Sequence, residues 1–510
     1  MTRRPAVMAF ALGCLALLVS GRNLGRAPVY LYHDEAIYAL NAVSLLANGH
    51  DLNGLRLPLF FHTFAWVPPI AIYSKALTFL FLPVSEATTR LPGVLTLAVD
   101  VVLTYYVGRR YFRRESLAVL AAVFVILTPA HFMHGRLATD HISGVPFFIA
   151  YLLLMLTYFD ERRLPSLVAA TTCLGLGIYG YNGALPEMPV FLAFTLAVLW
   201  FLPTRIVRPY AAALGGFAVA LAPFFIWLIV HPEHLGDQVK SYVASGAAAG
   251  PANPGAALYA AVVPRLDAYW NFFDPAMMFF TGDGSPLDST REVGVYLLPI
   301  LVLLPAGAYY ILRYRRTAAD LFILVGFLVG PIGALAVVES KASRALIMVP
   351  LAALLCARGV ESLVRRTTAG RVAAIVLLVG MAGQFQQFYR DYMGPYRERS
   401  GIWFESNRDD AFDGLVALAE PSHARMYVSS EIPLVRFSWD FYAVKHRRRD
   451  LESAFTFFGS VDDVNRAPAG SLFLAPYSPG GPGPAGSSVL TRMALVENVD
   501  RHPAFAIYRK

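Results

Sequence analysis

The chain has 510 residues, of which 56% are hydrophobic and only 15% charged, and its mean hydropathy is +0.50. That composition excludes an ordinary soluble enzyme and sets the class as a polytopic, mainly α membrane protein. The formal charge of +8 reflects Arg in inner-face loops of such a chain and does not argue for a nucleic-acid partner.

Arg3 and Arg4 precede an apolar run from Ala6 to Ser20. No small-residue cleavage site follows it cleanly, so it is expected to remain as a first span with the N-terminus in the cytoplasm. Next comes His33-Asp34-Glu35-Ala36-Ile37-Tyr38-Ala39-Leu40, two adjacent carboxylates where the chain has just left the bilayer. Ionisable groups at a membrane edge are costly without partners and read by default as functional. The structural alternative is that Asp34 N-caps a helix starting near Glu35, whose charge suits the helix dipole.

Further apolar segments run over 92–108, 117–131, 143–159, 165–180, 188–203, 210–230, 293–312, 319–338, 344–360 and 371–386, each near or somewhat short of the roughly 20 residues a bilayer needs. Arg clusters fall at alternate connections: Arg109/Arg110/Arg113/Arg114, Arg162/Arg163, Arg205/Arg208, Arg313/Arg315/Arg316 and Arg365/Arg366/Arg371. This positive-inside pattern closes with about eleven spans. Residues 67–83 would break the parity if they crossed. With Lys75 in mid-run and Pro at each end, they are expected to form an interfacial helix in a first outer loop over 21–89.

The second outer connection holds His131, His134, Arg136, Asp140 and His141. The imidazoles and Asp140 are of metal-ligand type, but no His-Glu-x-x-His spacing is present, and a polar tip in interfacial water is the simpler reading. Arg136 and Asp140, four apart, are expected to pair if a helix carries both. The third connection, Tyr179-Gly180-Tyr181-Asn182-Gly183, suits a turn. The fourth, 231–292, is long enough to bind something; it includes the small-residue stretch Ala244–Ala257 and Asp283. The fifth, Glu339-Ser340-Lys341-Ala342-Ser343-Arg344, puts two cations outside, paired locally with Glu339 or set to hold a phosphate. Cys14, Cys173 and Cys356 lie in apolar runs and serve neither metal nor disulfide.

Beyond Gln387 charges become frequent. Short β-type runs at 425–429, 471–475, 493–496 and 504–508, with a helix over 433–445, predict a small α/β domain, which parity puts outside. Pro476–Gly486 is a flexible loop within it, and Lys445-His446-Arg447-Arg448-Arg449 is expected to be solvated surface. The expected division is a transmembrane domain over 1–386 and an extracytoplasmic domain over 387–510.

Asp34-Glu35-Ala36-x-Tyr38, Leu46-Ala47-x-Gly49, Pro68-Pro69-Ile70-x-x-Tyr73, Arg90-Leu91-Pro92 and a second acidic position at Asp140 together resemble the GT-C glycosyltransferases. The branch resembled is that of protein O-mannosyltransferases and the aminoarabinose transferases that modify lipid A. The resemblance covers about 30–390. It implies a polyprenyl-phosphate-linked sugar donor, chemistry on the outer face, inversion at the anomeric carbon, and Asp34 as base for the acceptor hydroxyl. Where the lipid A branch has Glu-Lys, this chain has Trp66 and Val67, so a metal ligand and a phosphate contact implied there are not carried over.

Such a reaction needs a base for the attacking hydroxyl and cations for the leaving phosphate, and no nucleotide site. The candidates are Asp34, Glu35 and Asp140 for catalysis, Arg90, Arg136, Lys341 and Arg344 for the donor phosphate, and Tyr38, His62, His141 and Asp283 for substrate. No metal ligand is assigned and no cofactor is called for; a divalent metal stays open. The expected partners are a polyprenyl-phosphate-sugar donor, a glycan, lipid or protein acceptor, and the lipid bilayer. The rival readings are a transporter or flippase of a lipid-linked substrate and a non-catalytic envelope assembly subunit.

Overall fold

The computed structural model describes residues 3–202, 207–243, 254–336, 340–479 and 489–510. Arg205, Glu339, residues 244–253 of the small-residue stretch and residues 480–488 of the Pro/Gly-rich loop lie outside the described residues.

From the N-terminus, α1 (Arg3–Ser20) and α2 (His33–Asn48) precede a short hairpin of β1 (Phe61–His62) and β2 (Trp66–Val67), then α3 (Pro69–Phe79). The apolar body continues as α4 (Glu86–Phe112), α5 (Glu115–Ile126), α6 (Pro129–Arg136), α7 (Val145–Glu161), α8 (Leu164–Gly177), α9 (Ala184–Phe201) and α10 (Val207–Val230). In the long fourth connection stand α11 (Glu233–Val243) and α12 (Pro254–Asn271), before α13 (Ile300–Tyr310), α14 (Ala318–Val329), α15 (Met348–Arg366) and α16 (Thr368–Met393). The C-terminal part adds α17 (Pro395–Ser400), α18 (Arg408–Ala419), β3 (Met426–Ser429), α19 (Val435–Lys445), β4 (Thr456–Phe458), α20 (Val461–Arg466), β5 (Leu472–Pro476), β6 (Thr491–Glu497) and β7 (Pro503–Arg509).

Each of the eleven apolar segments is helical in whole or in part. Among the described residues, five helical segments are long and apolar enough to cross a membrane, with a sixth if α5 and α6 cross as one span bent by 58°. The bend has a local cause. Pro129 opens α6, and the preceding Thr128 is extended (φ −84°, ψ 115°), because a residue before proline is pushed out of the helical region. The segment 67–83 yields the 11-residue α3, about 16 Å long and half a bilayer core.

The chain divides into two compact units. The first comprises Met1–Arg22, Asn53–Ser74 and Arg90–Tyr389; the second comprises Asn23–Leu52, Lys75–Thr89 and Arg390–Lys510. Within the first, α13 and α15 cross at contact distance, because a Cβ on Gly307 would meet the Leu355 carbonyl oxygen at 2.0 Å and one on Gly359 the Leu303 carbonyl oxygen at 2.0 Å. Helices packed in lipid rely on such close approach. Away from the predicted outer connections, buried Asp320 accepts from the Tyr111 hydroxyl (2.6 Å) and pairs with Arg358 (3.3 Å) and Arg315 (3.3 Å). The Arg358 guanidinium lies 4.3 Å over the Tyr111 ring, so one network ties α4, α14 and α15.

The second unit is built on a five-stranded sheet in the order β4-β3-β5-β7-β6. β3 runs parallel to β4 and β5, while β7 is antiparallel to β5 and β6. The compact unit gathers more than the C-terminal sequence. Leu31, Ala36, Ala39 and Leu40 from α2 and its approach share one core with Phe412, Leu415, Trp439 and Phe441, each buried large side chain contributing about 1.5–3 kcal/mol. The Lys445–Arg449 run is not simply solvated. Lys445 is ion-paired to Glu86 (2.7 Å) and Asp409 (2.5 Å), and His446 Nε2 lies within hydrogen-bond distance of Asp409 Oδ1 (2.9 Å), because acids on α18 and at the start of α4 face the run.

Candidate functional site

The acidic motif opens α2. Helix α2 begins at His33, with Tyr32 extended before it (φ −80°, ψ 151°), so Asp34 sits inside the first turn rather than at the cap. The capping part falls to Glu35, fully buried, whose carboxylate accepts the Tyr32 N–H at 3.0 Å. The expectation that Asp34 caps the helix is thereby corrected: the helix starts two residues earlier than the residue types suggested. Asp34 keeps 35% of its side chain exposed and lies 3.6 Å from the His33 imidazole. His33 in turn meets Glu405 (Nδ1 to Oε1, 2.6 Å), and Glu405 pairs with Arg408 at 2.8 Å. A chain Asp34–His33–Glu405–Arg408 therefore fixes the imidazole beside Asp34. On the same helix, the Tyr38 ring carries the Lys75 ammonium 5.4 Å from its centroid.

In the first unit, four of the predicted outer connections converge. Gly180 allows the third to lie against the second, since a Cβ there would meet the Ser143 carbonyl oxygen at 2.6 Å. Asn182 N–H donates to Asp140 Oδ2 at 3.2 Å. The His141 ring stands edge-on to Tyr181, centroids 5.5 Å apart, and the Tyr181 hydroxyl is 3.4 Å from Ser343 Oγ. Gly282 has φ +68°, and a Cβ on it would meet Ser289 Oγ at 2.3 Å, so the Thr281-Gly282-Asp283 turn requires glycine. That turn aims Asp283 at the fifth connection, where its Oδ2 accepts the Ala342 N–H at 2.7 Å while Oδ1 accepts the Ser285 N–H at 2.8 Å. Both carboxylate oxygens are thus engaged by backbone, and Asp283 organises the segment that bears Lys341 and Arg344.

Arg344 is 6% exposed. Its charge and that of Lys341 act on His141, whose imidazole is held well below its usual range first by burial and then by His134, Lys341 and Arg344. His141 is therefore neutral at neutral pH. Burial likewise pushes the Tyr181 phenol up, with Arg344 opposing. The site so formed is a largely buried polar cluster of cations, neutral donors and carboxylates.

The other predicted residues sit as follows. Arg90 and Arg136 are fully buried. Arg136 ends α6, donates to the Ser20 carbonyl and lies 5.3 Å over the Phe132 ring. Because the helix stops there, Asp140 does not follow on its face, and the expected helical Arg136–Asp140 relation is corrected. His62 stands edge-on to Trp66 at 4.8 Å. Trp66 itself stacks on His234 (5.1 Å, 18°), which accepts from Trp227 Nε1 at 3.1 Å. An aromatic cluster thus occupies the position where the resembled branch has Glu. Of the two imidazoles three apart, His131 faces Asp100 (3.0 Å) and His134 faces His141 (Nδ1 to Nδ1, 3.2 Å). Sequence reasoning missed Glu405, Arg408 and Asp288 as partners of the motif residues; nothing in their local sequence marks them.

Residues 67–229 match the family described as dolichyl-phosphate-mannose-protein mannosyltransferase. No curated protein matches the chain by sequence. Among solved structures, ArnT from Cupriavidus metallidurans bound to undecaprenyl phosphate is similar over 98% of this chain and 97% of that one, with 13% identity and a TM-score of 0.57. The apo oligosaccharyltransferase of Archaeoglobus fulgidus is similar over 86% of this chain and 64% of that one, with 13% identity and a TM-score of 0.53. At such identities the likeness is one of fold: the chain shares the fold of ArnT and of the oligosaccharyltransferase.

Proposed function

We propose that the chain is an inverting glycosyltransferase. It moves a sugar from a polyprenyl-phosphate-linked donor to a glycan, lipid or protein acceptor on the outer face of the cytoplasmic membrane, using about eleven spans. The observation that carries this reading is the presentation of Lys341 and Arg344 on a segment held by Asp283, near buried Asp140 and Tyr181 and half-buried His141. Cations in a partly dry polar pocket suit a phosphate leaving group, each charge-assisted contact contributing about 1.5–3 kcal/mol. Undecaprenyl phosphate bound to ArnT is the kind of ligand expected here.

In the mechanism, Asp34 accepts the proton of the acceptor hydroxyl as that oxygen attacks the anomeric carbon from the face opposite the phosphate. His33, fixed by Glu405, stands beside the carboxylate and orients it. The C1–O bond to phosphate breaks, and Lys341 and Arg344 stabilise the charge that develops on the leaving oxygen. Asp140, Arg90 and Arg136 are assigned supporting parts in substrate and phosphate binding, with Tyr38 and His62 as further substrate contacts.

The test is sugar transfer by purified protein from a synthetic polyprenyl-phosphate sugar to envelope glycan, lipid and protein fractions. Transfer that appears with wild type and vanishes without donor supports the reading; donor binding with no transfer to any fraction would overturn it. A transporter reading draws on one observation, the buried Asp100–His131 pair at 3.0 Å, since ionisable pairs inside a span often mark ion paths. Full sugar transfer by Asp100→Asn would assign that pair to structure.

A further inference from the structure

We infer that His134, His141 and Asp288 form a binding site for a divalent transition metal, with zinc the best fit. His134 comes from α6, His141 from the connection after it, and Asp288 from the loop before α13. One ligand atom from each lies within 4.8 Å of the others. The two imidazoles approach Nδ1 to Nδ1 at 3.2 Å, and His134 Nε2 stands 3.7 Å from Asp288 Oδ1. His134 meets His141 through Nδ1 and Asp288 through Nε2, and only one of these nitrogens can face the ion. With one ligand atom from each residue within 4.8 Å of the others, side-chain shifts of about 1 Å bring the set to the roughly 3.3–3.6 Å donor spacing of a tetrahedral zinc.

The donors are two imidazoles and one carboxylate, with no thiolate. That is the three-ligand pattern of zinc sites that keep a fourth position open, and it disfavours magnesium or calcium, which take oxygen ligands. None of the three is Asp34, the proposed base. Asp288 lines a small cleft together with Asp283, Met133 and Ala342.

Tyr181 stands edge-on to His141 (5.5 Å) and its hydroxyl is 3.4 Å from Ser343 Oγ, which brings the segment bearing Lys341 and Arg344 close to the site. The fourth position therefore favours an anion, and phosphate is the anion proposed for those same cations. This coupling rests on the proposed function; the metal site itself does not.

The experiment uses full-length protein in detergent, stripped with chelator and reloaded with zinc alone. Wild type is expected to retain close to one zinc per chain after gel filtration and to gain thermal stability on reloading. Asp288→Asn, isosteric and at the cleft edge, should weaken zinc binding by at least about tenfold, and His134→Ala should abolish it. Cobalt loading should give the visible absorption of a tetrahedral site. Failure of wild type to retain zinc, or zinc binding undiminished in Asp288→Asn, would overturn the inference even if sugar transfer is intact. Zinc affinity that rises with added inorganic phosphate supports the anion at the fourth position; zinc bound with no such response would refute that coupling alone.

Discussion

The first turn of α2 and the pocket around His141 both gather ionisable groups, yet they hold them in different ways. In the pocket, Asp283 has both oxygens engaged by backbone N–H groups and Asp140 accepts from Asn182. At the start of α2, Glu35 is buried and accepts the Tyr32 N–H, while its neighbour Asp34 remains a third exposed beside a fixed imidazole. Carboxylates committed to the backbone hold shape. A carboxylate kept at a surface beside an oriented histidine is available for proton transfer. The comparison thus separates carboxylates held by backbone N–H groups from Asp34, the residue proposed as base, which adjacency in sequence does not do.

The sharpest way to break this division is Asp34→Asn. The cap of α2 belongs to Glu35, so folding should be unaffected, while turnover should fall by about 10²–10⁴-fold. Next in size is Arg344→Ala, which should weaken donor binding by about tenfold or more while leaving the proton step intact, measured as binding of the polyprenyl phosphate by the variant. Smaller again, Glu35→Ala should cost about 0.5–2 kcal/mol of stability by removing the acceptor of a first-turn N–H. Glu35→Gln, which keeps an acceptor oxygen, should restore most of it in thermal unfolding.

The smallest effect is one of pH. Burial holds His141 below its usual range and His234 down at about 4 from 6.5. Both are neutral when folded; the contribution of His234 is complete above about pH 6.5 and is lost as pH falls toward about 4, and His141 acts in the same direction. The expected slope is at most about 1.4 kcal/mol per pH unit for each imidazole in that window. A melting temperature that rose on acidification through pH 6 would contradict the burial argument.

Much of the fold was legible. Apolar runs gave the helices, and the alternating β-type runs at 425–429, 471–475, 493–496 and 504–508 became β3, β5, β6 and β7 with ends shifted by a residue or two. β4 escaped because Thr456–Phe458 is only three residues long, too short for a period-two pattern. The start of α2 was misread because Tyr32 carries no capping signature. In the candidate site, Asp140, His141, Asp283 and Arg344 were individually visible as polar residues in outer connections. Their convergence was not, because it depends on close backbone approach at Gly180 and a positive φ at Gly282. The His33–Glu405 pair spans 372 positions, and no local pattern encodes a partner at that separation.

The central claim is that Asp34 is the base and that the phosphate is held by other residues. It is tested most directly by measuring transfer rate and donor affinity on one folded preparation of Asp34→Asn, beside wild type. The account predicts turnover lower by about 10²–10⁴-fold with donor affinity unchanged. Near-normal transfer by that variant would contradict it.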